Sequence, residues 1–507
     1  MILLHLRTVY FAKFGMIFDA SKLMKKLLLI SLLLSKSVLI GQTVLNSFPL
    51  NLNNPSDEGQ IINAEDVKTH DIYVFASDDK KTTILKYNKS LFLTTQFTDS
   101  IKFASNRNLI GYSIGEDKNP LLYWASANLR NIRIVKYFPE MKTSRSLNFD
   151  FPDNHEYIIT SFQKDNAFYL LAKERAQQHL LLYKFDNGNC EIKMFDFSSF
   201  AFQNGGGKSL SFSSLIRYYP IQKMDLNDFN PIDKTAAINK MYVLDGHIIL
   251  TLDYNSKKTH VFDLNIETSD IKEKFFNLPV SQKPIQTANS FYYDKKLFQI
   301  AANKDEFLFD IKDFDSGNSI KNTALTKNDT IQFKNSPFLV QTDNNRPQQI
   351  KNTAKFLKNL ANLSAGISVT KNGENNFITF GGYIEYVNTD YLYNTDEILN
   401  FSGMRTQSKM VYFDSMLNKN LDFVKNEKPD PLAIDNLYFF LNTNNTIILQ
   451  NTLRLKDFYI LSYYDPALKQ LVMRKFTDGF TNEGPGNPIM NKSVFSKPAS
   501  FDPIKSH

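Results

Sequence analysis

Two short stretches carry glycines, a lysine or acids in patterns that could bind phosphate or a metal. Gly205-Gly206-Gly207-Lys208-Ser209 is compared with the phosphate-binding loop, which needs a further glycine where Phe202 stands and a helix after the serine. Leu210–Leu215 has no helical pattern, so the sequence predicts a flexible surface turn. Asp313-Phe314-Asp315-Ser316-Gly317 is compared with a calcium loop. Gly317 and Ala324 stand where that loop needs ligands, so a hairpin turn is predicted.

Other residues that hold metals or act as nucleophiles are scattered. The histidines show no metal-binding spacing, and Cys190 is the single cysteine of the chain. No Gly-x-Ser-x-Gly elbow is present, which excludes an α/β-hydrolase. The sequence therefore predicts no metal site and no cofactor.

Glycoside hydrolysis needs two carboxylates about 5–10 Å apart. Candidates are Asp165, Asp245, Asp253 and Glu385, but nothing in the sequence pairs them. Each also fits an ordinary surface or turn position, and both interpretations stay open.

Arg217-Tyr218-Tyr219, followed by Pro220, is the candidate binding patch of this chain. Arginine and tyrosine are enriched among the residues that dominate the energy of protein interfaces. The alternative interpretation is ordinary packing of this segment against the rest of the fold.

The elements that position these residues are β-strands. Leu437–Phe476 divides into β-rich runs at Leu437–Leu441, Thr446–Gln450, Phe458–Tyr464 and Gln470–Phe476, separated by Asn and Asp clusters, and predicts one antiparallel sheet of four strands. Similar hairpins recur upstream. One of them, Leu180–Asp186 followed by Glu191–Phe197, has an Asn-Gly turn, a strong hairpin signal.

About seven such units span residues 66–478, and repeated four-stranded units indicate a β-propeller, in which radial stacking covers both faces of each sheet. In general form the chain resembles secreted bacterial β-propeller proteins, without a specific family signature. The expected fold is all-β, a propeller of about seven four-stranded blades with one short helix in an insertion. A β-sandwich array and an outer-membrane β-barrel remain alternatives.

Segments outside the repeat complete the predicted organisation. We expect a linker at residues 42–65, insertions at 198–240 and 323–365, and an extended or disordered tail at 479–507. The predicted helix is Thr353–Leu363, because Phe356, Leu357 and Leu360 share one helical face.

The N-terminal region predicts export. A basic head, Met24-Lys25-Lys26, precedes the apolar run Leu27–Leu34, and Gly41 suits a cleavage site, so residues 1–41 are typical of a signal peptide with a start codon placed too early. An uncleaved anchor or a buried helix is the alternative. The whole chain has a net charge of +7, but removing this region leaves 53 basic and 51 acidic residues. A near-neutral mature chain gives no support for nucleic-acid binding.

Taken together, the sequence predicts an exported, monomeric, non-enzymatic binding or scaffold protein of the bacterial envelope, in the periplasm, at the cell surface or outside the cell. It would bind a protein or glycan through loops on one propeller face, with no transmembrane span after signal removal. The alternative is a propeller-type glycoside hydrolase or lyase with carboxylates at the central channel.

Overall fold

A computed structural model describes residues 42–100, 106–150, 156–343, 345–390, 403–425 and 430–479. The predicted signal peptide and almost all of the predicted tail lie outside the described residues. Within them, seven sheets of four or five strands follow one another along the chain. The strands of the first half are β1 (Gln42–Pro49), β2 (Gln60–Glu65), β3 (Ile72–Ser77), β4 (Lys81–Tyr87), β5 (Leu93–Ser100), β6 (Asn106–Ile114), β7 (Pro120–Ser126), β8 (Asn131–Phe138), β9 (Thr143–Asp150), β10 (Glu156–Lys164), β11 (Ala167–Glu174), β12 (His179–Asp186), β13 (Asn189–Asp196), β14 (Phe202–Gln203), β15 (Ser209–Leu210) and β16 (Ile221–Met224).

The second half continues the same pattern. Its strands are β17 (Asn239–Val243), β18 (His247–Asn255), β19 (Lys258–Asn265), β20 (Ile271–Asn277), β21 (Thr287–Tyr293), β22 (Lys296–Ala302), β23 (Glu306–Asp313), β24 (Ser319–Thr326), β25 (Phe338–Thr342), β26 (Gln348–Ile350), β27 (Ser364–Asn372), β28 (Asn375–Asp390), β29 (Gly403–Leu417), β30 (Ile448–Arg454), β31 (Tyr459–Asp465) and β32 (Gln470–Phe476). The sheets, numbered 1 to 7 in chain order and called blades, are β2–β5, β6–β9, β10–β13, β16–β20, β21–β24, β27-β28-β29-β25-β26 and β30-β31-β32-β1.

Burial explains why these segments form a propeller. In β3 (IYVFAS) and β7 (PLLYWAS), the second strands of blades 1 and 2, every residue is buried and only the final serine is polar, because neighbouring blades cover both faces of these strands. The fourth strand, such as β5 or β24, alternates between exposed and half-buried residues because it lies at the edge. Apolar clusters join blade 1 to 2, 2 to 3, 3 to 4, blades 4 to 6 in series, and blade 7 back to 1. The predicted propeller is confirmed.

The ring closes through a strand that the sequence did not predict. Residues 42–65, expected to be a linker, instead form β1 in blade 7 and β2 in blade 1. β1 pairs antiparallel with β32, from Gln42 opposite Phe476 to Pro49 opposite Gln470. The ladder joins the first described residues to the last blade, so closure depends on pairing between segments far apart in the chain.

Both predicted insertions contribute strands as well as loops. In the first, β16 joins blade 4 as its innermost strand, parallel to β17. In the second, β25 pairs with β29 and so supplies the fourth strand of blade 6. Residues 421–424, which follow β29, make only a single bridge, between Leu417 and Phe423. The blades therefore differ from one another in strand number and connectivity more than the sequence repeat predicted.

The described residues include five α-helices rather than one. They are α1 (Pro55–Glu58), α2 (Phe212–Tyr218), α3 (Ile232–Thr235), α4 (Thr353–Leu360) and α5 (Ala433–Thr443), with a 3-10 turn at Pro139–Met141. The predicted insertion helix matches α4.

The predicted strand Leu437–Leu441 is wrong, because it lies within α5. Ile434, Leu437 and Phe440 fall on one helical face and pack on blade 7. The side chain of Asp435 accepts a hydrogen bond from the Leu432 amide at 3.0 Å, and Asp478 accepts one from Ala433 at 2.7 Å. These caps satisfy the helix start and outweigh the strand preference of the aromatic residues.

Candidate functional site

The predicted patch residue Arg217 lines a pocket of about 610 Å³ between α2 and the start of β10. We call it the arginine pocket, and its described lining is Tyr157, Ile158, Ile159, Arg175, Ser213, Ser214, Ile216, Arg217, Pro220 and Ile221. Tyr218 and Tyr219 follow Arg217 and are 65% and 42% exposed. The Arg217 guanidinium lies 5.3 Å from the centre of the Tyr218 ring, within cation–π distance.

The helix α2 is fixed firmly enough to hold this pocket open. Its first residue, Phe212, is buried and stacks on Phe197 with ring centres 3.9 Å apart. The Ser211 hydroxyl accepts a hydrogen bond from the Ser214 amide at 3.1 Å, which caps the helix. The Ser213 hydroxyl donates to the Arg175 carbonyl at 2.8 Å and so ties α2 to the β11–β12 turn. The two arginines are therefore carried by neighbouring, connected elements.

The arginine pocket has an unbalanced positive charge. Within the part of the chain that the structure describes, neither Arg175 nor Arg217 forms an ion pair, and no carboxylate lines the pocket. Nearby acids have other partners, since Glu156 accepts from the Tyr183 hydroxyl and Glu174 lies 3.3 Å from His179. Burial raises the pKa of Tyr157, although the charges of Arg175 and Arg217 act against that rise. The charges of both guanidinium groups therefore act on Tyr157, which lines the pocket.

A second pocket lies at the axis of the ring. This axial cavity, about 510 Å³, is lined by the innermost strands of blades 1, 2, 3, 4 and 7. The described lining is Ile62, Asn63, Leu109, Ile110, Tyr112, Ser161, Phe162, Gln163, Lys164, Lys223, Met224, Asp225, Leu226, Asn227, Asp228, Val243, Asn451, Thr452, Leu453 and Arg454. β10 and β16 both begin at the arginine pocket and end at the axial cavity. The two pockets therefore lie at opposite ends of the same strands.

A segment from blade 4 crosses the axis and forms one wall of the axial cavity. We call residues 225–231 the strap. The Asp228 carboxylate lies 3.8 Å from Arg454 of blade 7, Phe229 packs against the α5–blade 7 cluster, and Ile232 just beyond the strap packs on blade 6. Gly366 of β27 allows this approach, since a Cβ there would lie 3.0 Å from the Ala236 nitrogen.

The strap carries two acids with opposite pKa shifts. Partial burial acts to raise the pKa of Asp225, but the nearby ammonium group of Lys223, with further help from Lys234 and Arg454, leaves that pKa lowered. Burial raises the pKa of Asp228, and the charge of Asp225 adds to that rise against Tyr459 and Arg454. The sequence pattern did not identify either acid as a candidate site residue, because Asn and Asp are also the usual residues of turns.

The four acids weighed from the sequence do not converge. Asp165 lies in a β10–β11 turn with positive φ, Asp245 pairs with Lys164, and Glu385 accepts from Tyr383 at 3.0 Å. Asp253 is buried and accepts from Lys240 at 2.9 Å, in a network whose lysine also donates to Asn289. No catalytic pair is formed among these four.

Tyr254, His260 and Glu273 form a hydrogen-bonded row beside a third pocket of about 700 Å³. The Tyr254 hydroxyl lies 2.9 Å from His260 Nδ1, and His260 Nε2 lies 2.7 Å from Glu273. Burial lowers the pKa of His260 to about 3 and raises that of Tyr254 to about 12. Both shifts work against proton transfer from Tyr254 to His260 near neutral pH.

The two motifs compared with known loops, residues 205–209 and 313–317, form turns between strands. The expectation that no helix follows Ser209 is wrong, because α2 begins at Phe212 and Ser211 caps it. Asn204 Oδ1 accepts from the Gly206 and Lys208 amides, and Gly207 has a φ of 82°. Asp313 accepts from the Ser316 amide at 2.7 Å in the β23–β24 turn. Among the described residues no group of three or more His, Cys, Asp or Glu side chains is arranged to hold a metal ion.

No protein-family model matches the chain, and no curated protein is similar to it. Solved structures to which it is similar include the WD40 domain of SCAP from fission yeast, at 10% identity and a TM-score of 0.26, covering 85% of this chain and 90% of that one. They also include the Dos1 propeller, at 8% identity and a TM-score of 0.27, covering 84% and 80%. An uncharacterized protein, lmo1340 from Listeria monocytogenes, is 9% identical over 86% and 99% with a TM-score of 0.25. Likeness at this level carries no argument about function.

In the described portion of the chain, every helix is too short or too polar to span a lipid bilayer.

Proposed function

We propose that this chain is an exported, non-enzymatic binding protein of the bacterial envelope, which uses the arginine pocket to bind an acidic segment of a partner protein. The observation that carries the proposal is the pair of guanidinium groups, Arg175 and Arg217, without carboxylate partners among the described residues. Arginine pairs bidentately with carboxylates, and exposed tyrosines add apolar contact area.

A protein segment suits the pocket better than a glycan. Ile159, Ile216 and Ile221 give the pocket an apolar floor that fits an aliphatic or aromatic side chain. The three tyrosines beside it, Tyr157, Tyr218 and Tyr219, are each more than a third exposed. An acidic peptide with one apolar anchor would use both features, and a neutral glycan would leave the positive charge uncompensated. Export rests on the N-terminal sequence pattern alone.

The test measures fluorescence anisotropy with labelled peptides of equal length that carry an aromatic residue among glutamates, glutamines or lysines. We expect the full chain to prefer the glutamate series and to lose affinity as salt rises. The double substitution Arg175→Glu with Arg217→Glu removes two charge-assisted contacts of about 1.5–3 kcal/mol each, so binding falls by about a hundredfold or more.

Arg130→Glu is the matched control, because Arg130 is exposed in the β7–β8 turn and its side chain has no polar partner among the residues that the structure describes. It should bind the glutamate peptide as the unmodified chain does. Equal binding of all three peptide series, or full binding by the double variant, would overturn the proposal. If the chain bound an acidic glycan more tightly than every peptide, the partner would be a glycan rather than a protein.

The alternative function, a glycoside hydrolase or lyase, gains one observation from Asp225 and Asp228 in the axial cavity. Opposite pKa shifts of two neighbouring acids are typical of acid–base pairs. However, Asp225 contacts Lys223 and Asp228 faces Arg454, so each acid has a cation beside it. We expect the chain to release no nitrophenolate from a panel of nitrophenyl glycosides. Sustained turnover by the unmodified chain that is lost in Asp225→Asn would favour the enzyme.

A further inference from the structure

The axial cavity differs from a simple opening in the ring because its strap is held in one conformation. Asn230 is buried, and its side chain bonds three backbone groups of the same segment. Its Oδ1 accepts from the Asp225 amide at 2.9 Å, and its Nδ2 donates to the Asp225 and Asp228 carbonyls at 2.8 and 3.1 Å. These bonds fix Asp225 and Asp228 relative to each other before any ligand arrives, which is the preorganisation that a binding site needs.

Each cation that lines the axial cavity has its own carboxylate. Lys223 contacts Asp225, Lys164 contacts Asp245, and Arg454 lies 3.8 Å from Asp228. The cavity therefore has no uncompensated charge, in contrast to the arginine pocket. An ionic ligand would have to break one of these pairs, and a purely apolar ligand would bury them without hydrogen bonds, which is also unfavourable.

The paired groups remain accessible from the cavity. The side chain of Asp225 is 48% exposed and that of Arg454 is 39% exposed. Gln163 and Asn227 add amide donors and acceptors, and Leu226 and Leu453 add apolar surface. A neutral molecule with many hydroxyls both donates and accepts hydrogen bonds and carries C–H faces, so it matches this mixture. The volume lies within the range of about 300–1,000 Å³ usual for small-molecule sites.

We infer that the axial cavity binds a small, neutral, polyhydroxylated ligand of the monosaccharide class, with Asp225 as a hydrogen-bond acceptor for its hydroxyls. The site does not depend on the arginine pocket and involves no bond cleavage. It gives the protein two recognition sites of different charge character.

The test uses saturation-transfer NMR and calorimetry on the full chain with glucose, galactose, mannose and N-acetylglucosamine as probes. Glucuronate and glucosamine serve as charged counterparts of similar size. We expect at least one neutral sugar to bind and to bind at least about tenfold more tightly than its charged counterpart. Absence of binding by every neutral sugar, or preference for a charged one, would overturn the inference.

Asp225→Asn should weaken sugar binding at least about tenfold. The backbone of Asp225, rather than its carboxylate, bonds Asn230, so the strap should keep its shape. Gln163→Leu, on a different strand, repeats the test if the first variant does not fold. The matched control is Asp315→Asn, an acid that is 77% exposed in the β23–β24 turn. Unchanged sugar binding in both cavity variants would also overturn the inference.

Discussion

The arginine pocket and the axial cavity are built on the same two strands, β10 and β16, yet their charges are arranged in opposite ways. Tyr157 and Lys164, at the two ends of β10, are separated by roughly 23 Å of extended chain. At one end, Arg175 and Arg217 have no carboxylate beside them in the described chain. At the other end, every cation that lines the cavity has one. Strand geometry alone therefore does not decide the chemistry of either end.

The segments that precede and follow β16 make the difference. Before it, α2 brings Arg217 to the arginine pocket; after it, the strap brings Asp225 and Asp228 to the axis. Uncompensated charge selects an oppositely charged ligand, whereas locally paired charge favours a neutral one that can bond both partners. Because the two sites are separate, substitutions at one should leave the other intact, and that separation can be tested.

The largest expected effect comes from removing the anchor of α2. Phe212→Ala deletes a buried ring that stacks on Phe197, so we expect the free energy of unfolding to fall by about 3–5 kcal/mol. The acidic peptide should lose affinity because α2 no longer holds Arg217 in place. Urea denaturation and peptide anisotropy measure the two effects.

Tyr218→Ala is the control for this change, because Tyr218 lies on the same helix but is 65% exposed. Its free energy of unfolding should stay within about 0.5 kcal/mol of the original. Sugar binding at the axial cavity should survive in both variants. Equal loss of peptide and sugar binding in folded Phe212→Ala would show that the two sites are one cooperative unit.

A smaller effect is expected from loosening the strap. Asn230→Ala removes three hydrogen bonds that the buried Asn230 side chain makes inside the strap, which should lower the free energy of unfolding by about 2–3 kcal/mol. Hydrogen exchange of residues 225–231 should accelerate, and sugar binding should weaken while peptide binding is retained. Asn227→Ala, an exposed position on the same strap, should leave the exchange rates of that segment unchanged.

The contrast between the two ends also shows what the sequence could predict. Sequence patterns predicted the structure correctly where it is determined by residues that are close together in the chain. The Asn187-Gly188 turn between β12 and β13 has positive φ at both residues, as its hairpin requires. Arg217 lines the arginine pocket, and the binding role predicted for Arg217, Tyr218 and Tyr219 remains a prediction.

Long-range pairing was beyond the sequence pattern. Nothing in Gln42–Pro49 identifies β32 as its partner, and β25 was not recognised as the fourth strand of blade 6. The axial cavity could not be predicted either, because Asp228 and Arg454 belong to blades that are distant in sequence. Aromatic content misassigned Leu437–Leu441, where capping by Asp435 and Asp478 stabilises α5. Contacts between distant segments decided the first three of these cases, and helix capping decided the last.

The smallest predicted effect tests the pairing of charge inside the axial cavity through pH. Asp225 has a lowered pKa, so its ion pair contributes stability above pH about 3.8 and loses it as pH falls through the folded pKa. Asp225→Asn should therefore lower the free energy of unfolding at pH 7 by about 0.5 kcal/mol, typical of a partly exposed pair, and the difference should vanish at low pH. Urea denaturation across pH 3 to pH 7 measures both values.

Asp228 should show the opposite trend, since its raised pKa makes its contribution largest below pH about 3.8 and lost as pH rises through the folded pKa. Relative to the unmodified chain, Asp228→Asn should become more favourable as pH rises, whereas Asp225→Asn should become less favourable. Combining Asp225→Asn with Lys223→Gln gives a double-mutant cycle that isolates the pair. Parallel pH trends for the two aspartate variants would mean that the acids share one environment, and the locally paired charge that separates this cavity from the arginine pocket would then be absent.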